Sequence, residues 1–231
     1  MNLSKSFYSM KQNNIFVKDI NNKDIIIDIE NNNYQVMMEW EKPYMEKLIN
    51  NLQPNGDVLE IGFGLGYSAN EIQKHDIQSH TIIESDKNVI KKLQFWAQQQ
   101  KHKVIIVEGT WQNKLQQLKK FDSIFFDDTP LNEYPDIENI RVYDFFYKIL
   151  KNHVNKNAKM TWYCDRLIYW LCHPLVEWSL KKYEINIPSN CGYIKNIDQK
   201  TMYLPLLKFT EGTINDVYSI AITKNFKLKE L

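Results

Sequence analysis

The stretch Asp57 to Ala69, DVLEIGFGLGYSA, constrains this chain more than any other. An apolar β-type run breaks at glycines 62, 64 and 66 and passes directly into residues that support a helix. Glycine there permits positive φ and lets a ligand approach the backbone closely. Glu84 ends the next apolar run, 22 residues beyond Gly62, where a carboxylate accepts hydrogen bonds from ribose hydroxyls. Loop, strand context and acid together indicate a nucleoside-bearing cofactor rather than a purely structural turn.

The rest of the chain alternates in the same way. DIIIDI (24–29) reads as a strand, hairpin-paired with NIFVKDI across the NNKD turn. Residues 42–52 carry Met45, Leu48, Ile49 and Leu52 at helical spacing, with Pro43 in the first turn. Strands are expected at 57–63, 79–85, 102–109, 121–128 and 158–164, with helices between them. YEINIPS, TMYLPLLKF and VYSIAIT suit antiparallel strands at one edge. No repeat or linker divides the sequence, which predicts one doubly wound α/β domain over 1–231 with N-terminal additions.

Charge excludes some partners. With 29 Lys plus Arg against 28 Asp plus Glu, no basic excess is present to neutralise phosphates, so neither nucleic acid nor an anionic membrane is expected as a partner. Lys119 and Lys120 read as solvated side chains. Cys164, Cys172 and Cys191 have no metal-ligand spacing and suit a reducing compartment, so no metal is expected. The start lacks a signal-peptide core, and the apolar stretch 160–172 carries Asp165 and Arg166 and is too short to span a bilayer. A cytoplasmic protein is expected; nothing here speaks to oligomeric state.

The cofactor is not settled by the loop alone, because GLGYSA also satisfies the G-x-G-x-x-A pattern of NAD enzymes. More specific are VMMEWEKPYM, LEIGFGLG, HTIIESD, HKVIIVEGTW, FDSIFFDDTPL, WYCD and IPSNCGYI, in that order. Together they resemble the guanidinoacetate N-methyltransferase family from about Val36 to about Leu206, and also the catalytic domain of fungal protein-arginine N5-methyltransferases. The resemblance implies a Rossmann-like, seven-stranded class I methyltransferase sheet with an N-terminal lid or hairpin extension. Residues 1–45 would be lid and substrate segment, and 46–231 the core that binds S-adenosylmethionine. It implies N-methylation of a small guanidino compound, with guanidinoacetate, giving creatine, as the leading substrate. A protein arginine or a longer guanidino acid are the alternatives.

Position by position, the resemblance puts Met37 and Met45 beside the cofactor and the loop Gly62, Phe63, Gly64, Leu65, Gly66 and Tyr67 under its methionine part. Glu84, with Ser85 and Asp86, lies at the ribose, Trp111 and Gln112 at the adenine, and Phe7 or Tyr8 closes over it. Glu41 and Asp127 match the two carboxylates that hold the guanidine. Cys164, Arg166 and Leu167 fall where the substrate's own carboxylate is bound.

The chemistry needs such a pair of acids. A guanidinium is planar, cationic and without a lone pair to attack with. Two carboxylates orient it by paired hydrogen bonds, and one removes a proton as the nitrogen–carbon bond forms. Asp127 is expected as the base and Glu41 as the orienting partner. Plainer roles exist for each: Asp127 and Asp128 as turn residues, Glu39 and Glu41 as first-turn acids, and the methionines as core filler. His80 and His102 are expected at the surface or as caps. Two departures bear on substrate. Asp165 and Arg166 stand where the family has Asn and small or apolar residues, and DDTPL replaces Asp-Thr-Tyr-Pro-Leu.

Overall fold

The computed structural model describes residues 13–129, 137–165, 176–187 and 199–213. The chain begins with a small antiparallel sheet of β1 (Asn14–Lys18), β2 (Asp24–Asp28) and β3 (Tyr34–Met38). Its turns explain the local asparagines: Asn22, Asn32 and Asn33 all have positive φ, which Asn tolerates better than most side chains. The Asp19 carboxylate accepts from the amides of Asn21 and Lys23, both at 2.8 Å, and closes the first turn. The hairpin of β1 and β2 is as expected. Residues 34–38, read from the sequence as a lid segment, are its third strand.

A 3-10 turn, Glu39–Glu41, leads into α1 (Lys42–Leu52), with Pro43 in the first turn. Then come β4 (Gly56–Ile61), α2 (Tyr67–Ile72), β5 (Ile77–Glu84), α3 (Lys87–Ala97), β6 (Lys103–Glu108) and the short α4 (Trp111–Lys114). The chain closes with β7 (Phe121–Phe126), α5 (Ile137–Asn152), β8 (Val154–Trp162), β9 (Val176–Asn186) and β10 (Gln199–Phe209). These strands build a seven-stranded sheet in the order β6-β5-β4-β7-β8-β10-β9, with β10 antiparallel to both neighbours. The strand order reverses at β4, and in such sheets ligands bind beyond the carboxyl ends of the strands at that switch. The run VYSIAIT lies outside the described residues.

Both faces of the sheet are covered. Leu59, Ile61, Ile124 and Phe126 pack toward α4 and α5, with Trp111, Phe145 and Ile149. Val58 and Phe125 pack toward α1, with Tyr44, Met45, Leu48 and Leu52. Alternate residues of β7 therefore serve opposite cores, the period-two rule of a strand buried on both sides. No helix of the described residues is long and apolar enough to cross a membrane.

Candidate functional site

At the switch point β4 continues to pair with both neighbours just past its end: the Asp127 amide, after β7, donates to Ile61 O at 3.0 Å, and Gly62 N donates to Ile83 O of β5 at 2.9 Å. Gly62 has φ 81, and a Cβ there would lie 2.1 Å from the Asp127 carbonyl oxygen. The loop turns back through Gly66 N donating to Phe63 O (2.8 Å), and Gly66, at φ 80, is the N-cap of α2. Phe63 packs its ring under Gly66, 2.9 Å from where a Cβ there would lie, and tilts against Trp96 at 5.2 Å between centroids. Leu65 is buried. Tyr67, half-buried, opens α2 beneath the Lys42 ammonium at 5.9 Å.

The acids around the loop divide by role. Glu60 is completely buried, accepts from Ser68 Oγ and pairs with His80 Nε2 at 2.8 Å. His80, expected at the surface, is thus part of the internal support of the loop, with Gln73 Nε2 3.3 Å from its other ring nitrogen. The Glu84 carboxylate accepts from the amides of Phe63 (2.9 Å), Ser85 (2.7 Å) and Asp86 (2.9 Å). Burial nevertheless holds its pKa above the ordinary value. Asp86 caps α3 through Oδ1, accepting from Asn88 N and Val89 N, while Oδ2 accepts from Asn14 N at 2.9 Å. Its side chain is committed to fastening β1 to α3. Ser85 is exposed and Gln112 half-buried.

Three more of the expected cofactor residues differ in their surroundings. Met37 does reach the loop: its Sδ accepts from Leu65 N at 3.2 Å and lies 2.5 Å from where a Cβ on Gly64 would be. Met45 has no exposed surface and fills the core under α1, the outcome its flexible, polarisable side chain suits. Trp111 is only 2% exposed, so it offers no open stacking face. It is held edge-on by Phe126 and Phe145, with the Lys148 ammonium over it, and donates from Nε1 to Asp128 at 2.8 Å. The residue that sequence reasoning missed at this strand end is Thr110, whose buried Oγ1 has no hydrogen-bond partner among the described residues. Phe7, Tyr8, Arg166 and Leu167 lie outside the described residues.

Glu41 is 6% exposed, accepts from Met38 N at 2.8 Å, and has its pKa lifted to about 8. Burial is the main cause and the charge of Asp127 the next, with Asp165 adding to it and Lys200 opposing it. The fold thus brings the two sequence-predicted carboxylates, from either side of the glycine loop, within electrostatic reach. Tyr163 and Tyr44 line the same region, and after burial the Glu41 charge does most to raise the Tyr163 pKa. Glu39 takes the plainer role, accepting from Lys23 Nζ and Asp24 N, both at 2.9 Å. Cys164 does not offer a free amide: its N–H donates to Tyr44 Oη at 3.0 Å, and its carbonyl accepts from Tyr203 N at 2.9 Å.

Known proteins match this arrangement. The family model described as guanidinoacetate N-methyltransferase matches residues 13–172. Protein arginine N-methyltransferase 2 of Candida glabrata is 33% identical over 171 residues, 68% of this chain and 40% of that protein. The protein of the same name from Saccharomyces cerevisiae is 32% identical over 139 residues, 56% and 33% of the two chains. The chain therefore spans less than half the length of these curated relatives. Among solved structures, a Thermotoga maritima spermidine synthase aligns with TM-score 0.52 at 15% identity, over 98% of this chain and 91% of that one. A putative methyltransferase from Thermoplasma acidophilum aligns with TM-score 0.50 at 15% identity, over 71% and 73%. At such identities the likeness is one of fold, the Rossmann-like class I methyltransferase fold. The cofactor of that class is S-adenosylmethionine, and the residues fit it: glycines that clear a path to the backbone, Glu84 beside them, and a buried Thr110 hydroxyl without a partner among the described residues. The chain belongs to the guanidinoacetate N-methyltransferase family.

Proposed function

We propose that this protein transfers a methyl group from S-adenosylmethionine to a nitrogen of a guanidinium held between Glu41 and Asp127. The observation that carries the reading is a buried carboxyl, Glu41, within electrostatic reach of a second carboxylate, Asp127, beside the glycine loop. Two such acids repel each other in the free protein, and a planar cation placed between them relieves both charges.

S-adenosylmethionine supplies an electrophilic methyl on a sulfonium cation. The Gly62–Tyr67 loop, Met37, Glu84 and Thr110 are the residues that would hold it. Glu41 and Asp127 hold the guanidinium so that one nitrogen points toward the loop, and their charge offsets the approach of two cations. That nitrogen must lose a proton as its bond to carbon forms. Its acceptor was expected to be Asp127, but the electrostatics favour Glu41. With a pKa of about 8 in the free protein, it is mostly protonated near neutral pH, gives up that proton as the guanidinium cation binds, and is then a stronger base than an ordinary carboxylate. Asp127, half-buried, is then the fixed anion.

Guanidinoacetate is the substrate that the family description suggests, and an arginine within a protein is the one the relatives' names suggest. The division into an N-terminal lid and substrate segment and a cofactor core belongs to the same proposal. Single-turnover transfer from labelled S-adenosylmethionine to a panel of guanidino acids, amides and arginine peptides tests it. Labelled product from at least one guanidino compound is expected, and no transfer to any of them would overturn the reading.

A further inference from the structure

Asp165 follows β8 and Lys200 opens β10, and their side chains meet at 2.9 Å at the rim of the acid pair. Both are part-buried, at 23% and 30% side-chain exposure, so the contact is shielded enough to matter yet open to a ligand. The Cys164 backbone beside it is already engaged. Tyr44 Oη joins Cys164 and Tyr203, donating to the Tyr203 carbonyl at 2.6 Å, so the Cys164 amide has no hydrogen to offer an incoming anion.

Among the described residues the charges that act on Glu41 are thus two carboxylates, Asp127 and Asp165, against the ammonium of Lys200. Asp165 and Lys200 both act on Glu41, in opposite senses, which places the pair close to a guanidinium bound there. A guanidino acid as short as guanidinoacetate must put its own carboxylate within a few ångströms of that guanidinium. Asp165 repels it, and Lys200, the cation that would attract it, is already neutralised by Asp165.

We propose that Asp165, held by Lys200, is a specificity-determining residue that selects against guanidino substrates carrying a carboxylate close to the guanidinium. The site then favours a guanidinium on an uncharged tail. This rests on the guanidine-methylation reading above and deepens it.

The test compares guanidinoacetate with guanidinoacetamide, nearly equal in size and different in tail charge, using N-acetylarginine methylamide as a third acceptor. In the wild type, kcat/KM for the amide should exceed that for the acid at least tenfold. Asp165→Asn removes the repulsion and frees Lys200, so the amide-to-acid ratio should fall at least tenfold. Lys200→Met leaves Asp165 unneutralised, so the ratio should rise. A merely structural pair would change both substrates together, and thermal unfolding of each variant checks that it folds. A wild type that prefers the acid, or a ratio that neither variant moves, overturns this proposal alone. Absence of transfer to all three compounds overturns it together with the methylation reading.

Discussion

Glu41→Gln removes one titrating proton from a buried position and keeps an oxygen to accept from Met38 N–H. Burial and the Asp127 charge carry the Glu41 carboxyl from 4.5 to about 8. The folded chain therefore holds this proton more tightly than the unfolded chain does. The corresponding stability is fully present below about pH 4.5 and is lost as pH rises to about 8, since over that window the unfolded state binds fewer protons. At about 1.4 kcal/mol per pH unit, the full loss is on the order of 4 to 5 kcal/mol. Glutamine cannot ionise and escapes it. Urea unfolding of both proteins at a series of pH values, with m held constant, should show the variant gaining on the wild type from about pH 5 to about pH 8. Beyond about pH 9 the difference should stay level. Stability curves that run parallel across that range would refute the burial argument. The same variant should lose about 100-fold or more in kcat/KM, since a charge-assisted pair with the guanidinium is gone.

Asp127→Asn should cut kcat/KM by about 100-fold or more while the Kd for S-adenosylmethionine, read by calorimetry, changes by less than about threefold. Gly62→Ala forces a Cβ against the Asp127 carbonyl at positive φ, which should cost about 3 kcal/mol or more in chemical unfolding and weaken cofactor binding as well. Tyr44→Phe strips the hydroxyl that joins Cys164 and Tyr203, and should cost about 2 to 4 kcal/mol by the same measurement.

Most of the main sheet was legible because its strands are apolar runs bounded by Gly, Asn and Asp, and the spacing from Gly62 to Glu84 marks the switch point. The choice between Asp127 and Asp128 rested on family alignment, yet the pleat contains it. Phe126 packs toward α5 and Phe125 toward α1. Asp127 therefore falls on the α1 side with Glu41, and Asp128 on the α5 side, where it accepts from Trp111. For Trp111 and Met45, both buried, residue type and position along the chain do not tell a lining side chain from one packed behind the lining. Only burial does. Lys200 was invisible for another reason: its relation to Asp165 is made by the antiparallel return of β10, and no local pattern encodes that pairing. The same holds for β3, whose five residues also read as the approach to a helix.

Glu84 has an acceptor count that bears on how a ligand is received. A carboxylate offers about four lone-pair positions, and three here are filled by the amides of Phe63, Ser85 and Asp86. A vicinal diol brings two hydroxyl donors to what is left. Two of the three amides lie in the turn that leaves β5, while Phe63 N belongs to the glycine loop, so the Phe63 contact is the one whose release moves that loop. Occupancy at Glu84 and the conformation of residues 62–67 therefore draw on the same acceptor, and a change at either end is felt at the other.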